Sequence, residues 1–393
     1  MFSQSHKDAL ARLQQIRSEL KSQFIQRDAE VDGLCLALLT GTNMLLLGPP
    51  GTAKSNLTEV FAGALAVPRD EYYKIQCNAY TVPEQIFGPT MISKLQNDEY
   101  ERKTDGYLPK ARVAYLDEIF NMNQTQLTTL NEILEEKEFG QGPRRDACPL
   151  ELCVGAANVY PEGDRALAAL YDRFLIRFWT PYISTRTDFI RLLKMDKKPA
   201  CQSSLQDGDI AELRSARATV QIPDSIYEAV ADVKEALLRK GVVGSDRRWQ
   251  KCMKVVQSAA ALAGRDTVKL IDVMVLADSM WGKHEERPVI YSALAERCAP
   301  AVGDAQRILD GVVAEYTAVD VSGKDERGST GHKENRRRLI GIMNVAIREI
   351  GNLQGADDSE AILEMAEKVE GMKTVVARAA AKLDHRVGHL LGK

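Results

Sequence analysis

Residues 44–64 read MLLLGPPGTAKSNLTEVFAGA: an apolar run, a turn rich in glycine and proline, and a helical pattern behind it. The turn, Gly48 to Ser55, follows the pattern G-x-x-x-x-G-K-[ST], with Ala53 where the second glycine usually stands. Such a loop aims backbone N–H groups and a helix N-terminus at an anion. Gly48, Pro49, Pro50, Gly51, Thr52, Ala53, Lys54, Ser55 and Asn56 are therefore the candidate phosphate-binding residues. Lys54 would reach the β- and γ-phosphates of ATP, and Ser55 would offer its hydroxyl to Mg²⁺. Ala53 adds one methyl, so the loop is expected to keep its shape. The plain alternative, a glycine-rich turn with an accidental lysine, is weighed down by the strand before it and the helix after it, both of which the motif requires.

The same unit sets the expected fold class, α/β. From Asn43 onward short apolar runs alternate with helical segments, the pattern of a parallel sheet covered on both faces. Five strands are predicted: Met44–Leu47, Tyr72–Cys77, Arg112–Leu116, Leu150–Ala156 and Phe174–Trp179. The long connection between the second and third strands holds TMISKL and EYERKT around QNDE, which predicts an inserted hairpin. A second hairpin is predicted in EFGQGPRRDACPLEL. Upstream, Leu10, Leu13, Ile16, Leu20 and Phe24 stand at helical spacing. Downstream, the pattern predicts helices over Pro223–Lys240, from an N-cap at Ser245, and over Val268–Trp281.

VAYLDEIF, residues 113–120, supplies the partner of the phosphate loop. An apolar strand ending in Asp117-Glu118 puts one carboxylate beside the Mg²⁺ shell and the next beside an attacking water. Alone, Asp-Glu after a strand is more often a solvated loop; with a phosphate loop upstream it predicts nucleotide hydrolysis, Glu118 orienting or deprotonating water. The strand VGAAN ends at Asn158, at the sheet edge where ligands of open α/β sheets collect, and its amide could position the water or the γ-phosphate.

The chain has 393 residues, 45% of them hydrophobic, and a net charge of −3, enough for two or three domains with real cores. That charge speaks against nucleic acid as the main partner. Seven scattered cysteines read as reduced thiols, and Cys148 and Cys153 have no histidine nearby to complete a metal site. No apolar run approaches the roughly 20 residues of a membrane span, and the first residues lack the apolar centre of a signal peptide. The expectation is a cytoplasmic protein. His385 and His389, and the run Arg336-Arg337-Arg338, read as solvated helix surface.

GPPGTAKS, LDEIF, the strand end at Asn158, ALYDRFLIRFW and the segment SDRRW together resemble the MoxR family of AAA+ ATPases, in particular its RavA-like branch. The likeness runs from about Phe24 to Trp281, and TVPEQIFGPTMIS and DGYLPKA share it. It implies an AAA+ P-loop core with a five-stranded parallel sheet, a helical lid and a homo-oligomeric, hexameric ring with ATP at subunit boundaries. Arg173 would be the arginine finger and Arg247 the lid sensor, with Arg177 and Arg248 as adjacent competitors. Tyr100 and Leu95 in the first hairpin could contact a polypeptide or merely pack on a neighbouring subunit.

The expected layout is N-terminal helices over 1–40, the core over 41–190, the lid over 210–284 and a helical region over 285–393 with a flexible loop near 321–335. The RavA-like branch carries a β-rich module after its lid; here the remaining stretch reads as helical. The resemblance implies remodelling or activation of a protein client, with a protein bearing a von Willebrand factor A (VWA) domain as partner. The competing readings are a nucleic-acid motor and a scaffold that binds ATP with little hydrolysis.

Overall fold

The computed structural model describes all residues except 98, 123, 143, 161–164, 319–328, 355–364, 368, 371–372, 374–375 and 377–393. Two helices lead: α1 (Gln4–Gln23), whose Ser3 N-cap accepts from the His6 amide, and α2 (Asp28–Thr40), closed by Gly41 in the left-handed region. The predicted stripe of Leu10, Leu13, Ile16 and Leu20 is buried. The strands and helices of the core follow as β1 (Asn43–Leu47), α3 (Lys54–Ala64), β2 (Tyr72–Gln76), α4 (Pro83–Phe87), α5 (Ile92–Leu95) and β3 (Val113–Asp117). Then come α6 (Gln124–Glu136), β4 (Glu138–Gln141), β5 (Arg144–Ala147), β6 (Leu152–Ala157), α7 (Arg165–Asp172) and β7 (Phe174–Trp179).

The main sheet is parallel throughout, with order β2-β3-β6-β1-β7. All residues of β1 and β6 are buried, as strands covered on both faces should be. Register pairs Leu47 with Ala157 and Trp179, so β1, β6 and β7 end at one level. The phosphate loop leaves that edge from β1, Asp117 and Glu118 leave it from β3, and Asn158 leaves it from β6 between them. Five strands stand where five were expected, within two residues at each end.

The second predicted hairpin is present as β4 and β5, paired antiparallel from Glu138–Ala147 to Gln141–Arg144. The first is corrected. Thr90 and Arg102 form a single antiparallel bridge, supported by Met91 N to Glu101 O at 2.8 Å and Lys103 N to Pro89 O at 2.9 Å. Beyond that bridge Ile92–Leu95 coils into one helical turn instead of continuing a strand. Ile92, Leu95 and Tyr100 are exposed, so no second layer rewards an alternating strand there.

After α8 (Arg186–Leu193) come three longer helices: α9 (Asp209–Thr219), α10 (Asp224–Arg239) and α11 (Asp246–Leu262). Ser245 caps α11 as predicted, its hydroxyl accepting from the Arg248 amide at 3.2 Å. The helix predicted over Val268–Trp281 is instead a 3-10 segment, Leu270–Asp278. Its buried apolar residues Val273 and Leu276 stand three apart, which matches three residues per turn. Asp272 anchors the segment, accepting from the Lys269 amide at 2.7 Å and pairing with Arg265.

The chain divides into two compact units: residues 1–230 with 237–290, and residues 231–236 with 291–393. In the first, α11 packs on α2, where Thr40 and Ser258 hydroxyls meet at 2.8 Å, and α9 is tied to α1 by Arg12 and Asp209 at 2.6 Å. The second contains most of α12 (Arg287–Cys298), then α13 (Pro300–Ala318) and α14 (Ser329–Gln354). Leu309 and Val312 of α13 and Leu339, Met343 and Ile350 of α14 are buried. Of the loop expected near 321–335, residues 329–335 belong to α14; 321–328 lie outside the described residues, as do His385 and His389. Arg338 pairs with Glu315 at 3.3 Å. No described helix is long and apolar enough to cross a membrane.

Candidate nucleotide site

Gly48 opens the loop with φ +144°, its amide donating to Ala157 O at 3.1 Å. A Cβ there would lie 2.3 Å from the Thr180 carbonyl, so only glycine lets the loop leave β1 beside the end of β7. Ala53 has φ 67° and ψ 14°, a left-handed conformation that glycine adopts freely and other residues at a cost of about 1–2 kcal/mol. The loop keeps its shape with alanine, but under strain. Ala53→Gly is therefore expected to leave the melting temperature unchanged or raise it slightly. Ala53→Val, β-branched at positive φ, is expected to destabilise by about 2 kcal/mol. Thermal melts of the two variants check this, and equal melts would remove the strain argument.

Lys54 heads α3 and is buried, its ammonium donating to Gly48 O at 2.7 Å and Pro49 O at 2.9 Å. Burial pushes its pKa down, while the nearby carboxylates of Asp117 and Glu118 hold the charge in place. Ser55 follows in the first helical turn, and Asp117 ends β3 with its carboxylate accepting the Glu118 amide at 3.1 Å. Glu118 itself has φ 51° and ψ 42°, again left-handed. Its carboxylate accepts a hydrogen bond from the Asn158 amide. Three strand ends far apart in sequence thus bring Lys54, Ser55, Asp117, Glu118 and Asn158 to one edge. A strained backbone at a carboxylate so placed is a feature of functional sites.

Hard oxygen donors suit Mg²⁺, and the Ser55 hydroxyl with the Asp117 carboxylate fits the small protein share of a shell completed by phosphates. Among the described residues no group of three or more His, Cys, Asp or Glu could hold a metal unaided. All seven cysteines are free, Cys148 and Cys153 included.

Sequence reading missed the compartment next to the loop. A cavity of about 540 Å³ opens beside Gly51, Thr52 and Asn56, walled by Phe24 and Ile25 of the α1–α2 link and by Tyr182 and Phe189 around α8. An apolar slot at the end of a phosphate loop is shaped for a nucleotide base. Arg27 braces it: its buried guanidinium donates to Thr52 O at 3.1 Å, Gln26 O at 2.5 Å and Pro181 O at 2.6 Å. Nothing local marks Arg27 as a strut, since two of its three acceptors are backbone carbonyls from distant segments.

Arg173 and Arg247 are not at this edge. Arg173 precedes β7, whose far end meets the loop through Thr180 N to Leu47 O at 2.7 Å. A six-residue strand, about 20 Å, therefore separates Arg173 from the phosphate loop of its own subunit. Arg247, in the first turn of α11, meets Arg173 on a shared carboxylate, Glu135. Their competitors are committed elsewhere. Arg177 is 3% exposed, donates to the carbonyls of Tyr171, Phe174 and Trp281, and lies 3.7 Å over the Tyr171 ring. Arg248 is buried against Asp172, with its Nη2 2.9 Å from the carboxylate.

Sheet order, phosphate loop, strand-end acids and helical lid define a P-loop nucleotide hydrolase of the AAA+ type. Residues 11–214 match the family described as the MoxR domain in the MoxR-vWA-beta-propeller ternary systems, and residues 225–294 match an AAA lid domain. The chain belongs to the MoxR family of AAA+ ATPases. It is 29% identical over 318 residues to an uncharacterized protein of Methanocaldococcus jannaschii, covering 80% of this chain and 82% of that one. It is 25% identical over 305 residues to the chaperone MoxR1 of Mycobacterium tuberculosis, covering 72% of this chain and 78% of the relative. A crystal structure of a candidate ATPase from Cytophaga hutchinsonii shares the fold, with TM-score 0.60 at 18% identity over 74% of this chain and 95% of that one. These matches name the MoxR domain without singling out a RavA-like branch.

Proposed function

We propose that this chain hydrolyses ATP with Mg²⁺ in a homo-oligomeric, hexameric ring and uses the cycle to remodel or activate a protein client. The observation that carries the ring is the division of the machinery. Lys54, Asp117, Glu118 and Asn158 stand at one edge of the sheet, and Arg173 and Arg247 stand at the other. A subunit so built offers its arginines to the ATP of a neighbour, so Arg247 reads the neighbour's nucleotide and not its own. Glu118 takes the proton of the attacking water, Asn158 orients that carboxylate, and Lys54 turns from the loop carbonyls to the β- and γ-phosphates. Bound Mg²⁺, held by Ser55 and Asp117, would neutralise charge on the phosphate oxygens.

A VWA-domain protein is the proposed partner, because the matched family is described from MoxR-vWA-beta-propeller systems. The net charge of −3 supports a protein client over nucleic acid, and the seven free thiols support the cytoplasm as its compartment. ATP turnover per subunit is expected to rise with protein concentration as rings assemble, measured alongside sedimentation. Turnover that stays constant while the species is monomeric would overturn the shared site. Capture on a Glu118→Gln protein with Mg·ATP, against an ADP control, is expected to retain a VWA-domain protein. Retention of nucleic acid alone would favour a motor.

A further inference from the structure

Glu135, near the end of α6, accepts from three cations. Lys251 Nζ lies 2.7 and 2.9 Å from its two oxygens, Arg173 Nη1 lies 3.2 Å away, and Arg247 Nη2 is also bonded. Asp172, beside Arg173, is taken up by Arg248 and lies 3.9 Å from Arg177. Among the described residues, the contacts of this patch set five cationic side chains against two carboxylates, in a chain whose overall charge is −3.

The surplus is felt locally. Burial, then the guanidinium groups of Arg247 and Arg173, push the Lys251 pKa down to about 8. The Arg173 Nε is buried without a hydrogen-bond partner. A patch with excess positive charge and an unused N–H is short of an anion, and a phosphoryl group carries both the charge and the acceptor oxygens to fill it.

We infer that Lys251 is a third cation contacting the terminal phosphate of ATP held by the neighbouring subunit, and that Glu135 keeps Lys251, Arg173 and Arg247 assembled until that phosphate arrives. The inference rests on the shared site proposed above. Lys251 is half-buried and shares the Glu135 carboxylate with both arginines, so a phosphate that takes that carboxylate's place meets all three cations. Lys251 lies one helical turn after Arg247 on α11, which places the two on one face.

The test uses the full chain. Lys251→Met is expected to lower kcat by about tenfold or more, the loss of one charge-assisted contact in the transition state. Binding of a fluorescent ATP analogue and the melting temperature should stay close to wild type, and Lys251→Arg should recover most of the rate. Lys251→Met subunits are then mixed with Glu118→Gln subunits, which keep an intact Lys251 but no water-activating carboxylate. The mixture is expected to turn over faster than the sum of its parts. Wild-type kcat in Lys251→Met overturns the inference. So does a loss that mixing does not rescue while an Arg173→Ala loss is rescued in the same format. If Arg173→Ala keeps its rate, or mixing fails to rescue it, the shared site falls and this inference with it.

Discussion

Glu118→Gln is expected to cut ATP turnover by roughly 10²- to 10⁴-fold while Mg·ATP remains bound. The carboxylate sits just past β3, held by a left-handed backbone and by the Asn158 amide donor. Glutamine has the same length, and its carbonyl can accept the same hydrogen bond, so the loop and the phosphates around it should be undisturbed. What it lacks is the ability to take a proton from water at neutral pH. Single-turnover hydrolysis measured beside nucleotide affinity separates the two effects. Equal rates in variant and wild type would leave a nucleotide-gated scaffold as the better description of this chain.

Arg173→Ala is expected to cost 10³- to 10⁵-fold in kcat, the range an arginine finger supplies, with little change in ATP affinity. Glu135 keeps Lys251 and Arg247 as partners when Arg173 is truncated, so no buried carboxylate is left unpaired and the loss of stability should be small. Arg177→Ala makes the contrast. Its removal strands buried carbonyls of Tyr171, Phe174 and Trp281, each unpaired group costing about 1–3 kcal/mol. That variant should lose melting temperature first and activity only as a consequence. If Arg177→Ala were stable and inactive while Arg173→Ala turned over normally, the finger would have to be reassigned.

These two predictions differ in where their evidence lies. Glu118 could be picked from LDEIF because a strand ending in paired acids is a local pattern, and its meaning comes from the phosphate loop in the same chain. The choice between Arg173 and Arg177 could not be made that way. Both lie in DRFLIR, and only the packing around Tyr171 and Trp281 shows that one guanidinium is consumed by the core. Arg247 and Arg248 repeat the lesson on a helix, where adjacent residues point about 100° apart. The buried one bonds Asp172, and the other is free to stand with Arg173 on Glu135.

The sequence by itself determined the features that a short window of chain can encode. Hydrophobic runs covered on both faces specify parallel strands, glycine at Gly48 permits the close turn, and Ser245 caps its helix through a hydroxyl that accepts from the amide three residues on. The hairpin around QNDE pairs only at its base, and the helix over Val268–Trp281 is a 3-10 segment, because their local patterns fit more than one geometry and burial chose between them. Only the tertiary structure decided the cavity braced by Arg27 and the opposite edges on which the acids and Arg173 stand. The physical reason is the same in each case. A contact between Thr52 and Arg27, or between Glu135 and Lys251, joins residues whose chemistry is ordinary in isolation, and its energy exists only once the sheet has brought them together.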